Sequence, residues 1–177
     1  MLGLERWAVP CFARASQIVQ SDGIVRAADT TFRLLVLPDQ LEEEVAAHIE
    51  TGERQKLHRR NLCSSRTPWW RVKLPPKPAA ILATYMGRRP PKFATNPDGC
   101  VALNVFHGIF FTEDVGPEVA AHLVEWLNSR GEAIAGGRTY HGGLRKFEPR
   151  DLESIMVPTL DYLLTTRLAE AIVGCES

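Results

Sequence analysis

The spacing of apolar residues along this chain alternates between period two and the longer period of a helix, and the changes of period mark out the elements. Phe32-Arg33-Leu34-Leu35-Val36-Leu37 is a compact run of strand length that Pro38 stops. Asp39 then offers an N-cap, with Glu42 three residues on as the second half of a capping box. Leu41, Val45 and Ile49 follow at helical spacing, and Gly52 closes that element. From Trp69 to Leu74 the pattern alternates: Trp70, Val72 and Leu74 share one strand face, and Trp69, Arg71 and Lys73 share the other. After Pro75, Pro76 and Pro78, Ala80-Ile81-Leu82-Ala83-Thr84-Tyr85 reads as a strand or a short helix, and Gly87 to Pro91 as a turn.

Phe93 to Thr95 and Val101 to Val105 read as strands around the turn Asn96-Pro97-Asp98-Gly99. Strict alternation puts Val101, Leu103 and Val105 toward the core and Ala102, Asn104 and Phe106 opposite. Pro117 suits a first helical position, and the stripe of Val119, Leu123, Trp126 and Leu127 ends before Gly131. Pro149 opens a short helical turn with Leu152, Ile155 and Met156. Thr159 caps a last helix striped by Leu160, Leu164, Leu168 and Ile172, with Gly174 past its end. Strands and helices mix without a regular βαβ alternation, which predicts an α+β fold: a mixed or antiparallel sheet of short strands with about four helices, one of them C-terminal. The 177 residues fit a single domain, with a basic, strand-rich centre at 54–97 and a helical part at 115–173.

Charge changes the picture. Residues 1–53 hold four basic and nine acidic side chains, residues 54–97 eleven and none, and residues 98–177 six and twelve. A formally neutral chain thus carries a centre of +11 between flanks of −5 and −6. Segregation of this kind points to a polyanionic partner, because clustered cations gather phosphates and release their counterions. No apolar run reaches the roughly 18 residues that cross a bilayer. The start of the chain lacks the charged-then-apolar order of a secretory signal, so the expected location is cytoplasmic, with no membrane partner.

The candidate chemistry is recognition. Arg66-Thr67-Pro68-Trp69-Trp70-Arg71-Val72-Lys73 offers cations beside an indole; phosphates take the cations, and the ring either stacks on a base or belongs to the core. His58-Arg59-Arg60-Asn61 and Gly87-Arg88-Arg89-Pro90-Pro91-Lys92 add basic clusters. Carboxamides such as Asn96 and Asn104 suit base edges but also serve turns. In Gly136-Gly137-Arg138-Thr139-Tyr140-His141-Gly142-Gly143-Leu144-Arg145-Lys146, paired glycines permit positive φ and close backbone approach. The segment matches neither nucleotide-binding glycine order. Cys11, Cys63, Cys100 and Cys175 are far apart and the five histidines scattered, so neither metal site nor disulfide framework is expected. Ser64-Ser65 lacks a strained elbow, and Glu42-Glu43-Glu44 reads as a solvated helix face. No catalytic residue is assigned.

Taken in order, several segments resemble the C-terminal target-recognition region of adenine-specific (N6) DNA methyltransferases of restriction–modification systems, of the Taq-like class. They are Val9-Pro10-Cys11-Phe12-Ala13-Arg14-Ala15, Leu37-Pro38-Asp39, Gly52-Glu53, Arg66-Thr67-Pro68-Trp69-Trp70, Phe93-Ala94-Thr95-Asn96, Leu103-Asn104-Val105-Phe106-His107-Gly108-Ile109 and Leu127-Asn128-Ser129. The most specific is Gly137-Arg138-Thr139-Tyr140-His141-Gly142-Gly143-Leu144-Arg145-Lys146-Phe147-Glu148-Pro149-Arg150-Asp151-Leu152, followed by Val157-Pro158. The resemblance implies a module that grips double-stranded DNA and reads a short sequence. In the family a separate domain binds S-adenosylmethionine and methylates a flipped adenine. Asn96-Pro97-Asp98-Gly99 lacks the second proline and the aromatic residue of the family's Asn/Asp-Pro-Pro-Tyr/Phe signature, and reads as a turn.

The resulting expectation is a module that is non-catalytic by itself and holds no cofactor, S-adenosylmethionine belonging to a partner catalytic chain. Arg59, Arg60, Arg66, Arg71, Lys73, Arg88, Arg89 and Lys92 would hold phosphates. Trp69, Asn96, Asn104, His107, Gly142, Gly143, Arg145 and Lys146 would lie near bases or in a groove. Two other readings stay open: one chain of a split methyltransferase active only with its partner, and a fold repurposed for RNA or protein.

Overall fold

The computed structural model describes residues 3–134 and 136–165. In chain order the elements are β1 (Ala8–Phe12), α1 (Ser16–Val19), β2 (Arg33–Leu35), α2 (Glu43–Arg54), α3 (Asn61–Ser64), β3 (Ile81–Thr84), β4 (Met86–Gly87), β5 (Phe93–Thr95), β6 (Val101–Ala102), β7 (Phe106–Ile109), α4 (Pro117–Ser129), β8 (Arg138–Tyr140), β9 (Leu144–Lys146) and α5 (Pro149–Glu153). Residues 160–165 are also helical. The strands form three small sheets, ordered β2-β1-β6, β5-β3-β7 and β4-β9-β8. The fold is α+β, as the mixed periods predict.

The second sheet is the centre of the molecule. β3 pairs antiparallel with both β5 and β7, and all four of its residues are buried. Alternation then serves two cores at once. Ile81 and Ala83 join Phe93, Phe147 and the α4 stripe of Val119, Leu123 and Leu127. Leu82 and Ala94 join Phe12, Ile18, Val25 and Phe106 on the other side. A strand apolar on both faces reads as an unbroken run, which is why 80–85 showed no clean period. A third, smaller core gathers Leu4, Val45 and Ile49 of the α2 region with Trp7, Leu35, Leu37, Trp69 and Trp70.

Several local expectations change. Trp69 to Leu74 is not a strand: no strand among the described residues pairs with it, because Trp69 and Trp70 pack on the α2 core and prolines flank the run. α2 begins at Glu43 with Glu42 as a cap that makes no side-chain hydrogen bond, so the Asp39–Glu42 box does not form; Asp39 instead pairs with Arg71. Gly52 lies inside α2, where a Cβ would meet Cη2 of Trp69 at 2.7 Å. Leu41 is exposed. The predicted strand Val101–Val105 stops at Ala102, and a tight turn, with the Phe106 amide donating to the Leu103 carbonyl at 3.1 Å, shifts the phase so that Phe106 points inward and Ala102 packs beside it. Near the end, Leu163 is buried, whereas Leu160 and Leu164 are exposed. Leu168, Ile172 and Gly174 lie outside the described residues. No helix among the described residues is long and apolar enough to cross a membrane.

Candidate nucleic-acid interface

The third sheet joins two basic clusters far apart in sequence. β4 pairs with β9 (Met86↔Lys146, Gly87↔Arg145), which sets Arg88 and Arg89, just beyond β4, beside the segment 138–146. β9 pairs in turn with β8 (Arg138↔Lys146, Thr139↔Arg145, Tyr140↔Leu144), making an antiparallel hairpin closed by His141, Gly142 and Gly143. Both tip glycines have positive φ, +78° and +75°, and a Cβ on either would meet nothing within 4 Å. Their glycine character therefore answers a backbone demand at a tip that stands clear of its surroundings. All three residues of β8 are exposed, while β9 is half-buried.

The inner strand is fastened down. Arg145 donates to the Gly136 carbonyl at 2.6 Å, and its guanidinium lies 4.8 Å from the centre of the buried Phe147 ring. Lys146 Nζ sits 2.7 Å from Glu148 Oε1, and that hydrogen bond raises the lysine's pKa above its ordinary value. The Phe147 amide donates to Tyr85 O at 2.7 Å, and His107 Nε2 lies 2.9 Å from Phe147 O. The His107 ring also meets Tyr85 edge-on, centroids 5.3 Å apart. These contacts splice the third sheet onto β7. Among the described residues, Arg88, Arg89 and Arg138 make no ion pair or side-chain hydrogen bond, and all three are exposed.

The other cations lie around α2 and α3. Arg59 ends a short turn at Leu57–Arg59, Arg60 precedes α3, and both are exposed like Lys73; Arg66 is half-buried. Arg71 is shared between Asp39 and the face of Trp70, 5.6 Å from the ring centre. Trp69 does not present a free stacking platform. Its Nε1 donates to Glu53 Oε1 at 3.1 Å, its ring packs on Gly52, and His58 stands 6.3 Å away. Lys92 is half-buried next to β5.

Asn96 is removed from the candidate contacts by its surroundings. It is 4% exposed; Nδ2 donates to the carbonyls of Ala79 and Cys100, and Oδ1 accepts from the Cys100 amide. Asp98 of the same turn accepts from the Ala27 amide at 2.8 Å. Asn96 is thus an internal brace at the root of a turn whose Pro97 and Asp98 are exposed. Asn104 is exposed in the turn before β7. Arg138 and Tyr140, absent from the sequence-derived set, are exposed on β8; the four residues Arg138 to His141 between two glycine pairs were the signal for a hairpin strand there.

Among the described residues, no three His, Cys, Asp or Glu side chains gather as a metal site. Cys11 and Cys100 are buried, and burial pushes both thiols above their ordinary pKa. An open groove of about 560 Å³ between β7, α4 and α5 is lined mainly by Phe93, Ile109, Leu123, Leu127 and Leu152, with His107 at its wall.

Residues 2–173 match the family described as Type II methyltransferase M.Eco57I, C-terminal domain. The chain is 31% identical over 166 residues to Type II methyltransferase M.XamI of Xanthomonas campestris pv. amaranthicola, an alignment covering 90% of this chain and 31% of the relative. It is 27% identical over 169 residues to Type II methyltransferase M.AccI of Acinetobacter calcoaceticus, with the same coverage, 90% and 31%. The chain therefore spans about a third of the length of these curated relatives. No solved structure matches.

Proposed function

The chain belongs to the family of the Type II methyltransferase M.Eco57I C-terminal domain, and on that premise we propose that it is a DNA-recognition module which grips the duplex through its basic sheet. The observation that carries the reading is the joining of Arg88 and Arg89 to Arg138 through the β4–β9–β8 sheet, with no carboxylate of the described residues engaging any of the three. The exposed, uncompensated guanidinium groups of Arg88 and Arg89 keep their charge for phosphate oxygens, and contacts of this kind fix register without reading sequence. Arg59, Arg60, Arg66 and Lys73 form a second set of phosphate ligands around α2 and α3. Arg71, already paired with Asp39, contributes less.

Methyl transfer in this reading is the work of a catalytic partner that binds S-adenosylmethionine and flips the target adenine. The chain's own part is to deliver and orient the duplex. The target is adenine N6 within a restriction–modification system, as the family resemblance implies, and the site of action is the cytoplasm. Incubating the purified chain with duplex DNA and labelled S-adenosylmethionine tests the division: label transferred by the chain alone would refute it.

Anisotropy of a fluorescent duplex across a salt series tests the binding. Log K should fall with log salt by roughly 0.9 for each phosphate contact, and R88A/R89A should flatten the slope by roughly 1.8. Affinity indifferent to salt, or equal affinity for structured RNA, would count against a duplex-DNA module.

A further inference from the structure

We propose that the β8–β9 hairpin is the reading element, entering the major groove with Arg138 and Tyr140 toward the base edges. This rests on the duplex-binding reading above and assigns the work within it. A two-stranded antiparallel ribbon fits the major groove, about 12 Å wide, and not the minor groove, about 6 Å wide. The hairpin has the surface such a fit needs. No acidic residue lies between residues 133 and 147, the tip glycines have open space where a Cβ would be, and every β8 residue is exposed.

Register decides which face reads. Directly opposed residues share a face, so Arg138, Tyr140, Leu144 and Lys146 lie on one side of the ribbon and Thr139 with Arg145 on the other. Arg145 is the residue fastened to Gly136 and Phe147, so its face is turned to the body of the molecule. The opposite face carries the unpaired guanidinium of Arg138 and the 42% exposed ring of Tyr140. An arginine fork matches O6 and N7 of guanine, and a phenolic hydroxyl can donate or accept at a base edge. Lys146, held by Glu148, stiffens the ribbon. Arg88 and Arg89, on the neighbouring strand end, hold the phosphate backbone alongside.

In vitro selection by the full chain from a randomised duplex library supplies the site, and anisotropy on the selected and a scrambled duplex supplies the discrimination. Wild type should enrich a motif. R138A/Y140A should still bind the scrambled duplex, with a salt slope lowered by no more than about 0.9, while its discrimination falls at least about tenfold. R88A/R89A should weaken both duplexes alike and leave discrimination intact. Replacing every purine of the site by its 7-deaza analogue should cost wild type tenfold or more, and netropsin, a minor-groove ligand, should not displace it. The unfolding midpoints of the variants, whose substituted residues are exposed, should match wild type. Undiminished discrimination by R138A/Y140A, indifference to 7-deazapurines, displacement by netropsin, or duplex binding by wild type without any enriched motif would each overturn the hairpin assignment and leave duplex binding standing. Failure of wild type to bind duplex DNA would remove both.

Discussion

Asn96 holds the carbonyls of Ala79 and Cys100 and the amide of Cys100 with one buried carboxamide, so its removal strands three polar groups in the core. We predict that N96A loses about 2–4 kcal/mol of unfolding free energy, since each orphaned buried partner costs about 1–3 kcal/mol and part of that is recovered by relaxation. N96D should be at least as damaging, because it turns a carboxylate oxygen toward two carbonyls. The exposed Asn104 serves as control: N104A should shift the urea midpoint little. A midpoint unchanged in N96A would refute the brace. A carboxamide suits a base edge and a buried turn equally well, and the sequence around Asn96 carries no mark of the burial that decides between them. Trp69 is the same case. Its alternation with Arg71 and Lys73 pointed to a strand that does not form, and the α2 groove at Gly52 that receives its ring belongs to another segment.

At the level of elements, α4 was legible from end to end, since Pro117 sits at its start and Val119, Leu123 and Leu127 are buried as the stripe requires. Its junction with β5 was not. Asn128, in the last turn of α4, accepts from the Phe93 amide at 3.0 Å and donates to the Phe93 carbonyl at 2.9 Å, standing in for a neighbouring strand on that edge of β5. Replacing it by alanine should cost about 2–3 kcal/mol, as both backbone groups of the buried Phe93 lose their partner. Hydrogen exchange at the Phe93 amide should accelerate more than at Leu82, on the central strand; equal protection in variant and wild type would refute the clasp. β1 shows another limit of sequence reading. It pairs with β6 through Cys11↔Val101 and Phe12↔Ala102, and a parallel pairing across about ninety residues leaves no local pattern.

For the whole molecule, a formal charge of +0 conceals separate basic and acidic territories. The chain should bind immobilised heparin at neutral pH and elute only with added salt, and R88E/R89E should elute at clearly lower salt. Passage through the column unretained would mean that acidic flanks mask the cations. The charge blocks were plain in the sequence. Their grouping was not, because it depends on β4 finding β9 almost sixty residues later. That sheet ends at β8, whose outer side has no neighbouring strand among the described residues and is only three residues long. Unclaimed amide and carbonyl groups on such a rim attract another copy of the same chain, and brevity plus a cation are what deter it. Arg138 is thus also a guard against self-association: an apolar side chain in its place would let molecules zip together rim to rim.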